Sequence, residues 1–224
     1  MRAGAFPDGR LPPEAELAGM LGVSRATVRA ALQTLAEDGV VSRRRRHGTL
    51  INEHVLRGGV PLNRLLSFRD LIEQSGFTPA VDPRVPRVTD RVAEDVAAAL
   101  GLAPGGEPCL VVERLLRADG RPVVTITDTL PLRWLQVMPE DVPETDSTFS
   151  FVAACTGATV DHSLVTITPA VATGEAPRHL DVPAGTPYTA LTELLFSPLQ
   201  EPVALSRIAV DSRHLPLTLV RRGI

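Results

Sequence analysis

Apolar residues recur at helical spacing at Leu17, Leu21 and Val23, and again at Val28, Leu32 and Leu35, with Gly22 between the two runs. The spacing predicts two helices, of about eight and about twelve residues, joined by a tight turn. Ser24 suits the N-cap of the second helix, and Asp38-Gly39 ends it, Gly39 being free to take the left-handed conformation. On that helix Val28, Leu32 and Leu35 face inward. Val40-Val41-Ser42 then reads as a strand and Leu50-Ile51 as its return. Between them lie Arg43, Arg44, Arg45 and Arg46, followed by His47-Gly48-Thr49, so the segment is predicted to be a two-stranded hairpin, a wing, with glycine at its tip.

Gly58-Gly59 and Pro61 mark residues 54–63 as a linker. Leu65, Phe68, Leu71 and Ile72 give a helical stripe that ends at Gly76. Residues 81–88 alternate loosely and hold two prolines, which allows an edge strand at best. An alanine-rich helix over 93–100 ends at Gly101. Strands follow over 109–116 and 123–130 around the hairpin turn Ala118-Asp119-Gly120-Arg121. Residues 149–155 are predicted helical, 164–171 and 188–196 are strands with a short helix near 177–180 between them, and 203–210 pairs back across a turn at 197–202. Strands joined by hairpins with helices between them predict an antiparallel α+β sheet.

Charge sharpens this two-part division. The chain of 224 residues carries a formal −3 and no lysine. Residues 1–60 hold nine Arg against six Asp and Glu, a net +3, and residues 61–224 hold fourteen Arg against twenty, a net −6. A basic module that meets a polyanion is thus joined to an acidic one that does not. Aromatics are only 4%, so the core is expected to be Val, Leu and Ala. Cys109 and Cys155 lack metal-type spacing, which fits a reducing cytosol. No apolar run is long enough to span a bilayer, and the N-terminus has no signal-type apolar stretch, so the expected location is cytoplasmic with no membrane partner.

Arg25 and Arg29 stand one turn apart on the outer face of the second helix, with Thr27 beside them. Helix-turn-helix proteins read base edges from this part of that helix. Arg can bond guanine O6 and N7 together, Thr can touch a thymine methyl or a phosphate, and the capped helix start can hold a phosphate. The wing arginines would contact phosphates or enter a minor groove. An isolated run of four arginines is more often a solvated surface. Here it follows a capped helix pair with arginines of its own, and double-stranded DNA becomes the expected partner.

These residues resemble the winged helix-turn-helix of the GntR family of bacterial transcription regulators. The matching pieces are Leu11-Pro12-x-Glu14-x-Glu16-Leu17-Ala18, Leu21-Gly22-Val23-Ser24-Arg25-x-Thr27-Val28-Arg29, Leu35-x-x-x-Gly39 and Gly48-Thr49. The resemblance implies operator contacts from Arg25, Thr27, Arg29 and the His47-Gly48 tip. With the helix cap and the wing, the expected DNA-binding set is Ser24, Arg25, Thr27, Arg29, Arg45, Arg46, His47, Gly48 and Thr49. Many members carry Arg between the two glutamates, where this chain has Ala15. Members also have a further helix before Gly9, and residues 1–6 resemble only its tail. The expectation is a weakened N-terminal unit whose isolated 1–54 fragment does not melt sharply at high temperature.

The second half resembles the UTRA effector-binding domain of the HutC-like subfamily, which is similar in fold to chorismate lyase. The landmarks are Ser67-Phe68, Gly76-Phe77-x-Pro79, Leu100-Gly101-Leu102, Arg114 through Ala118-Asp119-Gly120-x-Pro122-Val123, Leu130-Pro131, Ser147-x-Phe149 and Leu180-x-Val182-x-x-Gly185-x-Pro187. The implied organisation is a DNA-binding domain over 1–53, a linker over 54–63 and an effector-binding, dimerising domain over 64–224. The implied function is a ligand-responsive regulator, a repressor and homodimer on a pseudo-palindromic operator, controlled by a small anionic metabolite. It implies no catalysis and no cofactor. The alternatives are a sensor module without DNA binding and a chorismate lyase-like enzyme.

Arg114 lies on a strand with apolar neighbours, so its guanidinium needs an anion or a carboxylate. Ser147 and Thr148 open a helix whose free N–H groups suit an anion. By resemblance these fall on the family's anion-binding positions. The plainer reading makes Ser147 an N-cap and pairs Arg114 with Glu113 or Asp128. The second arginine of the family's R-x-R pair is Leu116 here, and by alternation Arg117 faces away from Arg114. The acid of the return strand aligns with Ile126, with Asp128 two residues on, on the same face. Ser206, Arg207 and Arg213 lie where the last pocket strand contributes. The expected effector set is Arg114, Asp128, Ser147, Thr148, Arg207 and Arg213. The histidines are scattered, Asp161-His162 reads as a surface pair, and Cys155 reads as core.

Overall fold

The computed structural model describes residues 6, 9–37, 39–44, 48–52, 60–61, 66–83, 86–103, 106–142, 145, 147–173 and 179–218. Two compact units result, one from residues up to 64 together with the short strand at 217–218, the other from residues 65–216.

In the first unit, helix α1 (Glu14–Leu21) and helix α2 (Arg25–Glu37) pack with a three-stranded sheet of β1 (Arg10–Leu11), β2 (Val41–Arg44) and β3 (Gly48–Ile51). The strand order is β1-β3-β2, all antiparallel. Helix α1 stops at Gly22, whose φ of 67° is left-handed. The Thr27 amide then donates to Ser24 Oγ at 3.1 Å, capping α2 as its sequence implies. Leu11, Leu17, Ala18, Val28, Leu32, Ala36 and Val41 form the small core, with Leu35 only partly buried against it. Leu21 and Val23, which share the helical apolar spacing, are 66% and 42% exposed. They flank the turn at Gly22, where the chain leaves the helix axis and the 3.6-residue period no longer says which way a side chain points. A short parallel pair joins β4 (Val60–Pro61) to β12 (Leu217–Thr218).

The second unit is an antiparallel sheet flanked by helices. Its strands are β5 (Pro79–Pro83), β6 (Arg87–Thr89), β7 (Cys109–Ala118), β8 (Arg121–Pro131), β9 (His162–Val171), β10 (Pro187–Phe196) and β11 (Pro202–Val210). The order is β5-β7-β8-β11-β10-β9, with β6 also on β7. The loosely alternating stretch before β7 is therefore two strands rather than one. Pro83 ends the first and Pro86 precedes the second, and neither can donate to a ladder. The β7–β8 hairpin turns at Asp119 and Gly120, with φ of 49° and 81°, the two positive values a tight turn of this hand requires. Helix α3 (Phe68–Gln74) starts at a Ser67–Asp70 capping box and buries Phe68, Leu71 and Ile72. Helix α4 (Glu94–Ala99) sets Val96 and Leu100 against Leu205. Helix α5 (Thr148–Thr156) lies on the other face, where Phe151, Val152 and Cys155 pack with Leu110, Val112, Leu130, Leu195 and Ala204. Of the short helix expected near 177–180, residues 177 and 178 lie outside the described residues, and residues 179 and 180 form a turn rather than a helix.

Candidate nucleic-acid interface and effector site

The exposed face of α2 is organised from its first residue. Ser24 Oγ meets Thr27 Oγ1 at 2.8 Å and also accepts the Thr27 amide, so Thr27 is locked to the cap. Arg25 and Arg29 follow on one face of the helix. Arg29 is not idle. Its Nε donates to Glu14 Oε2 at 3.1 Å and its Nη2 lies 3.0 Å from the same oxygen. Glu14 Oε1 accepts from Arg43 on the wing strand. One carboxylate in the first turn of α1 thus spans the helix and the wing. The hydrogen bond from Arg29, then the charges of Arg29 and Arg43, hold the Glu14 carboxyl below its ordinary range. The clamp is exposed: the Arg29 side chain is 67% accessible.

On the wing, Arg43 pairs with Thr49 and Arg44 with Gly48, and Gly48 has a φ of 79°. Thr49 is partly buried and Gly48 exposed. Arg45, Arg46 and His47 lie outside the described residues. Glu14 and Arg43 are the participants that sequence reasoning did not single out as site residues. Glu14 stands in a quoted motif and Arg43 opens the wing's arginine run, but their contact spans 29 residues and no local period reveals it.

In the second unit, sheet register gathers one polar row beneath α5. Arg114 is opposite Ile126, Asp128 opposite Val112 and Ser206, and Ser206 opposite Glu193. Paired residues share a face, so Arg114, Asp128, Ser206 and Glu193 all point the same way. Arg114 Nη2 donates to Asp128 Oδ2 and, at 2.7 Å, to Thr148 Oγ1; Nη1 reaches the Thr145 carbonyl at 3.4 Å. Thr148 Oγ1 donates to Asp128 Oδ1 at 3.3 Å, and Ser206 Oγ donates to the same oxygen at 2.5 Å. Phe151 covers the guanidinium, its ring centre 5.4 Å away. Arg114 is 5% exposed and Asp128 fully buried. Among the described residues the buried Nε of Arg114 has no hydrogen-bond partner. Further along, Glu193 accepts from Ser163 Oγ at 2.6 Å; burial, helped by the charge of Asp128, pushes the Glu193 carboxyl above its ordinary range.

Of the six expected effector residues, the structure brings three together: Arg114, Asp128 and Thr148. Ser147 is the N-cap of α5, accepting the Ser150 amide at 3.5 Å. Arg207 is one residue past Ser206 and so projects from the opposite face, where it pairs with exposed Asp95 at 2.5 Å. Arg213 grips Asp211 through Nε and Nη2, both at 2.8 Å, and His214 Nδ1 stands 3.0 Å from the same carboxylate. The Arg213 hydrogen bond, then that of His214, lowers Asp211 from an ordinary 3.8 to about 2. Arg117 donates to Asp82 at 2.8 Å, away from the row. Glu193 and Ser163 are the members the sequence reading missed. The available signal was a carboxylate whose same-face neighbours, Leu191 and Leu195, are both apolar, the feature that singles out Arg114. Cys155 is buried, and burial raises its thiol to about 11, far from a nucleophile's range. Among the described residues no cluster of His, Cys, Asp and Glu could hold a metal ion, and no helix is long and apolar enough to cross a membrane.

Comparison with known proteins matches both halves. Residues 85–215 match the UTRA domain, and residues 4–51 match the bacterial regulatory proteins of the gntR family. An uncharacterized HTH-type transcriptional regulator of Rhizobium meliloti (strain 1021), RB1450, is 32% identical over 150 residues, which cover 65% of this chain and 59% of that protein. The chain thus spans less than two thirds of that relative's length. The HTH-type transcriptional repressor NagR of Bacillus subtilis (strain 168) is 26% identical over 183 residues, 81% of this chain and 72% of NagR. The crystal structure of PhnF from Mycobacterium smegmatis superposes with a TM-score of 0.64 at 25% identity, covering 98% of this chain and 95% of that one.

Proposed function

The chain belongs to the GntR family of bacterial transcriptional regulators and carries its UTRA domain, and from that premise we propose a cytoplasmic, ligand-responsive repressor that binds a pseudo-palindromic operator as a homodimer. The observation that carries the DNA-binding part is the Ser24-capped α2 with Arg25 and Arg29 on its exposed face. In this reading α2 enters the major groove, Arg25 and Arg29 reach base edges, and the wing crosses to phosphate. Glu14 holds Arg29 and Arg43 extended in the free protein, and DNA phosphates or guanine acceptors replace it in the complex. That exchange costs little, because an ion pair in solvent competes with water and salt at every moment.

The effector reading rests on the unspent Nε of Arg114. A buried donor without a partner is costly, and an oxygen acceptor of a small anionic metabolite would satisfy it. Such a ligand competes for the guanidinium that ties Thr145 and Thr148 to the sheet. The start of α5 would shift with it, biasing DNA binding by a coupling of about 1–3 kcal/mol. The charge of Arg114 is already balanced by Asp128, so the ligand is expected to be selected by hydrogen-bond geometry more than by net charge.

The test is a fluorescence-anisotropy titration of the full chain on duplex from upstream of its own gene and on a scrambled duplex, at two salt concentrations, with and without pooled anionic metabolites. The reading expects tighter binding to the upstream duplex and a metabolite-dependent loss. Equal affinity for both duplexes would remove the operator-reading role.

A further inference from the structure

Three carboxylates are buried among the described residues: Asp128, Glu193 and Asp211. Asp128 meets Arg114, and Asp211 meets Arg213 and His214. Glu193 differs. It is 8% exposed, and among the described residues Ser163 Oγ is its one hydrogen-bond partner and no cation pairs with it. A buried carboxylate without a counter-charge is costly, so this position favours an incoming cation.

Its neighbours do not supply one. Leu191 and Leu195 flank it on the same face of β10, and across the ladders it stands opposite Val165 and Ser206. Ser206 has a single hydroxyl proton, and it goes to Asp128 Oδ1. Arg207, the next residue of β11, projects from the other face to Asp95. Burial raises the Glu193 carboxyl, so without a cation it keeps a proton more readily than an ordinary carboxyl does.

The row that carries Glu193 also carries the unspent donor of Arg114. Asp128, Ser206 and Glu193 stand on the neighbouring strands β8, β11 and β10, about 10 Å from first to last at the usual strand spacing. Arg114 lies beyond Asp128 on β7, and among the described residues its buried Nε has no acceptor. One end of the row lacks an acceptor and the other lacks a cationic donor. With Glu193 ionised, Arg114 sets one positive charge against the two negative charges of Asp128 and Glu193. A ligand that brings only negative charge adds to that excess.

We propose that Glu193 is a second recognition pole of the effector site and that the effector is a zwitterion, its anionic oxygen accepting from Arg114 Nε and its protonated amine donating to Glu193. The inference rests on the effector reading above and names the ligand class of that site. The ligand ammonium takes the place of the proton on Glu193 and gives the carboxylate the counter-charge that the fold withholds. A plain anion of the same length leaves Glu193 unmatched, and a plain amine leaves the Arg114 donor unmatched.

The test uses the full chain and dissociation constants from ligand-observed NMR. The probes are β-alanine, γ-aminobutyrate, ε-aminocaproate and phosphoethanolamine, each beside its amine-free counterpart (propionate, butyrate, caproate and ethyl phosphate). The wild type should favour the best amino compound over its counterpart by about tenfold or more, the effect of one charge-assisted hydrogen bond. Glu193→Gln keeps an acceptor for Ser163 and removes the charge. It should erase that preference and bind the amine-free compound at least as well as the wild type does. A variant that loses both ligands alike makes Glu193 a structural residue and overturns the proposal. Wild-type protein that binds both classes equally overturns the Glu193 pole and leaves the effector reading standing. Binding of neither class overturns the zwitterion assignment, and the effector reading falls with it only if the pooled anionic metabolites also leave DNA binding unchanged. Should Glu193→Gln misfold, the wild-type preference decides alone.

Discussion

Each unit sets an arginine of an ordered element against a carboxylate, and the two pairs behave as opposites. Arg29–Glu14 lies in solvent, its side chains 67% and 24% accessible, and Glu14 also serves Arg43. Arg114–Asp128 is sealed, at 4% and 0%, and is completed by Thr148, Ser206 and the Phe151 ring. The same chemistry yields a replaceable contact in one place and a fixed one in the other. An exposed pair competes with water and salt at every moment, so a polyanion can take its arginine. A buried pair has already given up hydration, and removing one partner strands a charge. The first suits a surface that trades partners, the second a site that keeps its shape.

The largest effect that could break this contrast is expected at the buried pair. Asp128→Ala leaves the Arg114 guanidinium uncompensated and should destabilise the second unit by about 3–5 kcal/mol, read as a fall in Tm. A change no larger than that of an exposed-pair variant would mean the pair is not sealed.

A smaller, pH-bounded effect is expected at Asp211. Its carboxyl is lowered from an ordinary 3.8 to about 2 by Arg213 and then His214. A lowered carboxyl contributes stability that is complete above the unfolded value and lost as pH falls toward the folded one. The wild type should therefore lose stability between about pH 4 and pH 2 beyond the loss seen in Asp211→Asn, measured by melts across that range. Coincident acid limbs would refute the assignment. Glu193 has the opposite sign: its raised carboxyl favours the fold at low pH and penalises it as pH rises through the folded value, so Glu193→Gln should remove a decline in stability on the neutral side.

The smallest effect on stability sharpens the other side. Glu14→Gln frees Arg29 and Arg43 yet should leave Tm essentially unchanged, while raising affinity for scrambled duplex at low salt. A substantial fall in Tm would make Glu14 a structural residue.

Much of the fold was legible because its signals are local. The Ser24 cap, the Gly22 break, the Asp119-Gly120 hairpin and the apolar runs of β7 and β10 each depend on a few adjacent residues. Strand β1 was not, since two residues show no period. The polar row was half legible. Parity along β8 puts Asp128 on the face of Ile126, but only the β8–β11 and β10–β11 registers bring Ser206 and Glu193 beside it. The same parity separates Ser206 from Arg207 by one residue and sends the arginine to the opposite face, where a sequence sees only neighbours. The Glu14 clamp joins residues 15 and 29 apart, a contact that follows from how α1, α2 and the wing pack.

The most direct test of the central claim, that the exposed arginine is held for DNA, is the ratio of upstream-duplex to scrambled-duplex affinity in Arg29→Ala. The account expects the ratio to fall by about five- to 150-fold, corresponding to about 1–3 kcal/mol for a base contact, with Tm unchanged. An unaltered ratio in a folded Arg29→Ala protein would contradict it.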